Sequence, residues 1–229
     1  MSDDATADPT VTTWRELAVA RSLDPARARA EKRVQRFLDA ALELMTSSDG
    51  KEFTVQEVVE RSGQSLRSFY QYFAGKYELL LALFEESVRS TAAHLQEVVD
   101  GSDVPVERLH AFLVEYYRIC HLNPKGRGAN KPPAPAMAEF AQQLLTDHPK
   151  EASRAFVPLL DLLVDLLDDA AAAGAIQGGL NHRRIAGVLL QAIMFNAFAS
   201  TISGSSVRRS PDEGDEELWG LVLGGIATR

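Results

Sequence analysis

The sequence predicts an all-α protein in which a small N-terminal three-helix unit, containing a helix-turn-helix, precedes a larger helical body. Three observations carry that expectation. Apolar residues recur at the 3.6-residue spacing of amphipathic helices in one segment after another. No convincing period-two run marks a strand. Residues 54–76 spell two short capped helices joined by a turn that contains glycine. With 229 residues and 45% hydrophobic content, the chain can bury an ample core in one or two domains.

The formal charge of −8 is unevenly spread. Residues 25–80 hold nine Lys/Arg against eight Asp/Glu and are the one segment that is not net acidic; residues 1–24 hold two against five, and residues 81–229 thirteen against nineteen. That is a modest electrostatic footprint for a polyanion. One cysteine, Cys120, excludes an intramolecular disulfide and offers no cysteine pair for structural zinc. No apolar run approaches the roughly 20 residues a membrane helix needs, and the acidic, threonine-rich start lacks the regions of a signal peptide. A cytoplasmic protein without a membrane partner is expected.

Residues 1–23 are polar and poorly periodic, with Pro9 and a lone amphipathic patch at Trp14, Leu17 and Ala18, and read as a disordered arm. Asp24-Pro25 is a helix-start signal, the aspartate capping and the proline occupying a position whose N–H is dispensable. The helix then runs to residue 46. Val34, Phe37, Leu38, Ala41 and Met45 form its buried stripe, Arg27, Arg29, Lys32, Arg33 and Arg36 crowd its early turns, and Asp49-Gly50 turns the chain. Thr54 with Glu57 makes a capping box for a short helix striped by Val55, Val58 and Val59. Gly63 ends that helix with a left-handed residue. Ser65 caps the next one, whose apolar side is Phe69 with Phe73 and Leu66.

Burying Phe69 and Phe73 turns Arg67, Ser68, Gln71 and Tyr72 outward, with Tyr70 at the margin. Arg pairs bidentately with guanine and Gln with adenine in the major groove, while Ser, Tyr and Lys suit phosphate oxygens. The segment Ser65-Leu66-Arg67-Ser68-Phe69-Tyr70-Gln71-Tyr72-Phe73-Ala74-Gly75-Lys76 resembles the DNA-reading signature of TetR-family transcriptional regulators, and Phe-Tyr-x-Tyr-Phe-x-x-Lys is its specific part. Gln64 stands where that pattern has a small aliphatic residue, and Val59 and Ser62 where it has alanines. The resemblance implies a DNA-binding domain over residues 24–75 and an effector-binding and dimerisation domain over residues 76–229, jointed at Gly75-Lys76. It places Arg27, Arg29, Thr54, Ser65, Leu66, Arg67, Ser68, Tyr70, Gln71, Tyr72 and Lys76 in the DNA-binding set.

Beyond the joint, Leu79, Leu80, Leu83, Phe84, Val88 and Leu95 line a long helix ending near Gly101. Val106, Leu109, Phe112, Leu113, Tyr116 and Cys120 mark the next. Residues 123–135 form a Gly- and Pro-rich loop, where Lys125, Arg127 and Lys131 suit an anionic effector such as a coenzyme A thioester, although such charges more often mark an ordinary solvated loop. Met137, Phe140, Ala141 and Leu144 mark a helix that stops before Pro149. Pro158 must kink or break the following one. Asp161, Asp165 and Asp168 lie opposite Leu159, Leu162, Leu163 and Leu166, which reads as a solvent face rather than a metal site. Gly174 and Gly178-Gly179 close the segment.

Residues 181–203 are apolar on more than one face, the pattern of a helix buried all round. A mobile linker over residues 204–214 leads to a last helix over residues 213–226. The resemblance assigns these two helices to a dimer bundle, through Ile185, Leu189, Ile193, Leu218, Trp219 and Val222. Effector candidates are Phe112, Tyr116, Cys120, Met137, Phe140, Phe156, Met194 and Phe198, residue types that also fill plain cores.

Convergent catalytic chemistry is sparse. His94, His110, His121, His148 and His182 lie on separate segments, and Glu107 with His110 is one Glu-x-x-His without the second copy a di-iron bundle uses. No phosphate-cradling glycine loop or nucleophile elbow occurs. The sparse chemistry argues against an enzyme, and the resemblance implies a homodimer without a cofactor, which represses from a palindromic double-stranded DNA operator until a small, largely apolar effector, lipid-like or a coenzyme A thioester, releases it. A helical interaction protein with a non-reading helix-turn-helix is the alternative, and a metal-bundle enzyme the third.

Overall fold

The computed structural model describes residues 14–47, 53–121, 135–203 and 211–228. Among them ten helices follow in order: α1 (Trp14–Ser47), α2 (Val55–Ser62), α3 (Leu66–Tyr72), α4 (Lys76–Val99), α5 (Pro105–His121), α6 (Pro135–Asp147), α7 (Pro149–Ala155), α8 (Val157–Ala172), α9 (His182–Ser203) and α10 (Pro211–Ile226). No strand forms among the described residues; one antiparallel bridge, Ile176 to Ala227, fastens the chain end to the α8–α9 connection.

The first helix departs from expectation. It begins at Trp14, so residues 14–23 are helical rather than part of a disordered arm, and Pro25 lies inside the helix instead of starting it. Arg15, Glu16, Leu17, Ala18, Ala20 and Arg21 are strong helix formers, and their summed preference outweighs one missing backbone donor. The Pro25 carbonyl also accepts a bond from Arg29 Nε at 2.9 Å. Residues 1–13 and the Asp49-Gly50 turn lie outside the described residues.

Around α1 the aromatics do the packing. Phe37 meets Phe69 edge-on at 5.4 Å and Phe73 at 6.1 Å, with Val58 and Ala41 fully buried beside them. These rings tie α1, α2 and α3 into one small unit. α4 then leaves it, burying Leu79, Leu83, Phe84, Val88 and Leu95 as its periodicity predicts. The buried cluster continues from Phe37 without a break to Val222. α4 packs against α1 at one end and against α5 and α8 along its length, so it belongs to both ends of the molecule.

Pro158 breaks the helix rather than kinking it. α7 stops at Ala155, Phe156 caps, and α8 starts with the proline in its first turn, where the missing donor is harmless. Leu159, Leu163, Leu166 and Leu167 face in, while the aspartates face solvent and reach α9: Asp161 pairs with Arg183 and Asp168 with His182.

The expectation that α9 is buried all round is also corrected. Ala186, Leu190, Ile193, Met194 and Ala197 are buried against the body, but Val188 is 59% and Phe195 42% exposed. The helix is apolar on two faces, and its own chain covers one of them. On α10, Leu221 behaves alike and is 76% exposed. The loop over residues 123–134 with its three cations, and the linker over residues 204–210, lie outside the described residues.

Candidate nucleic-acid interface

The interface is assembled from local rules. Thr54 Oγ1 accepts the Glu57 amide at 3.2 Å, and the Glu57 carboxylate accepts the Thr54 amide at 2.7 Å and its hydroxyl at 2.8 Å. The Thr54 backbone bond, then its hydroxyl, then nearby Lys76 hold the Glu57 carboxyl below the usual glutamate range. Lys76 places its ammonium 4.7 Å above the Phe53 ring, fixing the start of α4 against the start of α2. At the other end of α2, Gly63 adopts φ 65°, its amide bonding Glu60 O while the Gln64 amide bonds Val59 O. Those paired bonds are a Schellman ending, and the left-handed residue explains the glycine.

Ser65 then caps α3, its Oγ accepting the Ser68 amide at 3.1 Å. Because Phe69 is fully buried, the seven-residue helix can present only its far side. That side carries Leu66, Arg67, Tyr70 and Gln71, all exposed. Four residues differ from the sequence-based expectation. Leu66 is 43% exposed rather than on the apolar side, and Tyr70, at 57%, is the presented tyrosine. Tyr72 is half-buried against the core, since it follows Phe69 by three residues and shares its side. Ser68 is turned inward, its hydroxyl buried without a hydrogen-bond partner, so it does not offer that group to a phosphate.

Beside α3 lies a polar depression of about 370 Å³ lined by Arg33, Arg36, Gly63, Gln64, Ser65, Arg67, Ser68 and Gln71. The contribution of α1 is therefore Arg33 and Arg36. Arg27 and Arg29 do not line it: Arg27 is engaged by Glu31 at 2.7 Å and Arg29 by the Pro25 carbonyl. The basic run is visible in the sequence, but which of its members flank the reading helix depends on how α1 crosses α2.

The two capped helices, their glycine turn and the outward polar side of α3 define a helix-turn-helix. Residues 37–83 match the family model described as bacterial regulatory proteins, tetR family. A TetR-family transcriptional regulator from Pectobacterium atrosepticum superimposes with a TM-score of 0.69 at 17% identity, covering 89% of this chain and 98% of that one. The fatty acid degradation regulator FadR from Bacillus halodurans gives 0.65 at 17% identity, over 86% and 97%. FadR from Bacillus subtilis, solved in complex with stearoyl-CoA, gives 0.58 at 16% identity, over 84% and 98%. No curated protein matches the sequence significantly. Residues 37–83 thus match the DNA-binding domain of the TetR family, and the chain as a whole shares the fold of the similar solved regulators.

In the body, the effector candidates fall into two groups within one core. Phe112 stacks on Tyr116 at 6.0 Å, and the Tyr116 hydroxyl reaches the Leu190 carbonyl at 3.4 Å. Burial raises the Tyr116 phenol and pushes the adjoining Cys120 thiol up to about 12, so Cys120 stays protonated near neutral pH. Phe140 and Phe156 gather instead on Phe84, at 6.4 and 5.4 Å. Met194 is buried, and the side chains of Met137 and Phe198 lie outside the described residues.

Of the dimer candidates, Ile193 and Val222 are buried within their own chain, and Ile185, Leu189, Leu218 and Trp219 are half-buried against the core, Trp219 on His110 at 4.9 Å. On α9 and α10 the exposed large apolar residues among those described are Val188, Phe195 and Leu221, all three among the apolar positions that helical periodicity picks out on these segments. Glu107 and His110 have separate partners, Ser102 and Glu216, and among the described residues no group of three or more metal-ligating side chains forms.

Proposed function

We propose that two copies of the chain bind a palindromic operator and that a small, largely apolar molecule releases them. The observation supporting the DNA half is the outward set Arg67, Tyr70 and Gln71, presented by a helix whose opposite side is locked by Phe69. Thr54, Ser65 and Lys76 position that helix, and Leu66 supplies an apolar contact for a thymine methyl. Residues 24–75 act as the reading unit and residues 76–229 as the effector and pairing unit, with α4 shared between them.

Two-fold pairing through the exposed faces of α9 and α10 would set half-sites one helical turn or slightly more apart. The effector is a lipid-like molecule or its coenzyme A thioester. The aromatic interior around Phe84, Phe112, Tyr116 and Phe140 supports an apolar tail, and the stearoyl-CoA held by the similar Bacillus subtilis protein supports the thioester. Cytoplasmic placement follows from such a role; no helix among the described residues is long and apolar enough to cross a membrane.

Selection of bound sequences from random duplex DNA should return an inverted repeat. Adding a long-chain acyl-CoA should then weaken binding to that duplex five- to 150-fold, the range of a coupling of about 1–3 kcal/mol. Release by the free fatty acid but not the thioester would reassign the effector, and enrichment of no sequence would remove the DNA reading itself.

A further inference from the structure

The turn between α2 and α3 grips α1. Gln64 Nε2 donates to the backbone carbonyl of Arg33 at 2.8 Å, across 31 residues of sequence. Its backbone amide is meanwhile held by Val59 O at 3.3 Å. Both ends of Gln64 are therefore committed, its backbone amide to α2 and its side chain to α1.

The gripped residue is itself a cation of the groove. Arg33 and Arg36 lie three residues apart on α1 and line the same depression as Arg67 and Gln71. Among the described residues no carboxylate pairs with Arg33 or Arg36, whereas Arg27 is engaged by Glu31 at 2.7 Å and Arg61 by Glu43 at 3.1 Å. Exposed guanidinium groups without a partner of their own, beside a base-reading surface, are suited to phosphate oxygens.

We propose that Gln64 is a positioning residue for DNA binding: it locks α1 against the reading helix so that Arg33 and Arg36 seat on backbone phosphates flanking the bases that Arg67 and Gln71 contact. The inference rests on the DNA-reading assignment above. Gln64 itself touches no base. It sets the distance between two kinds of contact, one indifferent to sequence and one selective. An aliphatic residue in its place would fill the turn but leave α1 untethered at that point.

The test uses the full chain and two probes: the most enriched duplex from random-sequence selection and an unselected duplex of the same length. Affinities are measured from low to moderate salt for the natural protein, Gln64→Met, the double variant Arg33→Ala/Arg36→Ala, and the triple combination. The double variant should flatten the dependence of log affinity on log salt by about 1.8 per protomer, at about 0.9 for each phosphate no longer neutralised. Gln64→Met keeps the side-chain volume and lacks the donor, so it should flatten the slope in the same direction, leave the ranking of base preferences unchanged, and add nothing further in the triple variant.

The double variant changes only exposed side chains and so stands as a test even if Gln64→Met fails to fold. A sequence-selective protein whose salt slope is unmoved by Arg33→Ala/Arg36→Ala overturns the phosphate assignment alone. A Gln64→Met loss that adds in full to the double variant overturns the positioning role. A natural protein that favours neither duplex overturns this inference together with the DNA reading beneath it.

Discussion

Single residues decide whether the reading helix forms and what it presents. Thr54 serves α2 through both its hydroxyl and its amide, so Thr54→Ala should lower stability by about 1 kcal/mol, read from denaturant unfolding. The same cap has a pH dependence with a definite sign. Because the folded protein lowers the Glu57 carboxyl below the ordinary 4.5, its contribution is complete above that value and is lost as pH falls through the lowered one. The stability difference between the natural protein and Glu57→Gln should therefore be constant near neutrality and shrink on acidification below about pH 4.5; a difference that grows there would contradict the cap. Phe69, buried under Phe37, should cost about 3–5 kcal/mol as Phe69→Ala, whereas exposed Tyr70 should cost little stability when changed to alanine.

At the scale of elements, legibility in the sequence follows the range of the interactions. The capping box, the left-handed Gly63 and the Ser65 cap are each settled by residues within a few positions of one another, and all three are readable from the chain alone. The start of α1 is not, because Asp24-Pro25 is a valid start signal that the helix preference of residues 15–21 overrides. Tyr72 escapes the pattern since seven residues of α3 give periodicity little length in which to distinguish margin from face. Likewise the inward turn of Ser68 and the engagement of Gln64 with Arg33 depend on where α1 crosses, which no local spacing encodes. On α9 the sequence pattern is apolar on both sides, and it cannot say which side the chain covers itself. The structure gives Ile193 to the interior and leaves Val188 and Phe195 exposed. If that second face joins two copies, Val188→Arg with Phe195→Arg should turn a dimer into a folded monomer in sedimentation, with unchanged helix content; a dimer that persists would move the interface elsewhere.

Taken as a whole, the molecule joins its two ends through α4, which packs against α1 and against α5 and α8. That helix begins under Phe53 and α1 and continues into the aromatic groups around Phe84 and Phe140, with Tyr77 in its first turn lying 4.8 Å from the His148 ring and 5.8 Å from Phe140. A ligand that displaced Phe140 would thus press on the same turn that carries Lys76. The polar outward side of α3 is nevertheless the centre of the account, and the most direct measurement compares base preferences of the natural protein and Arg67→Ala by selection from random duplex DNA. The account predicts an inverted repeat for the natural protein, with Arg67→Ala losing preference at one position of each half-site at a cost of about 1–3 kcal/mol. Equal, weak binding of every duplex by the natural protein would contradict it, and preferences surviving Arg67→Ala intact would remove Arg67 from the reading surface.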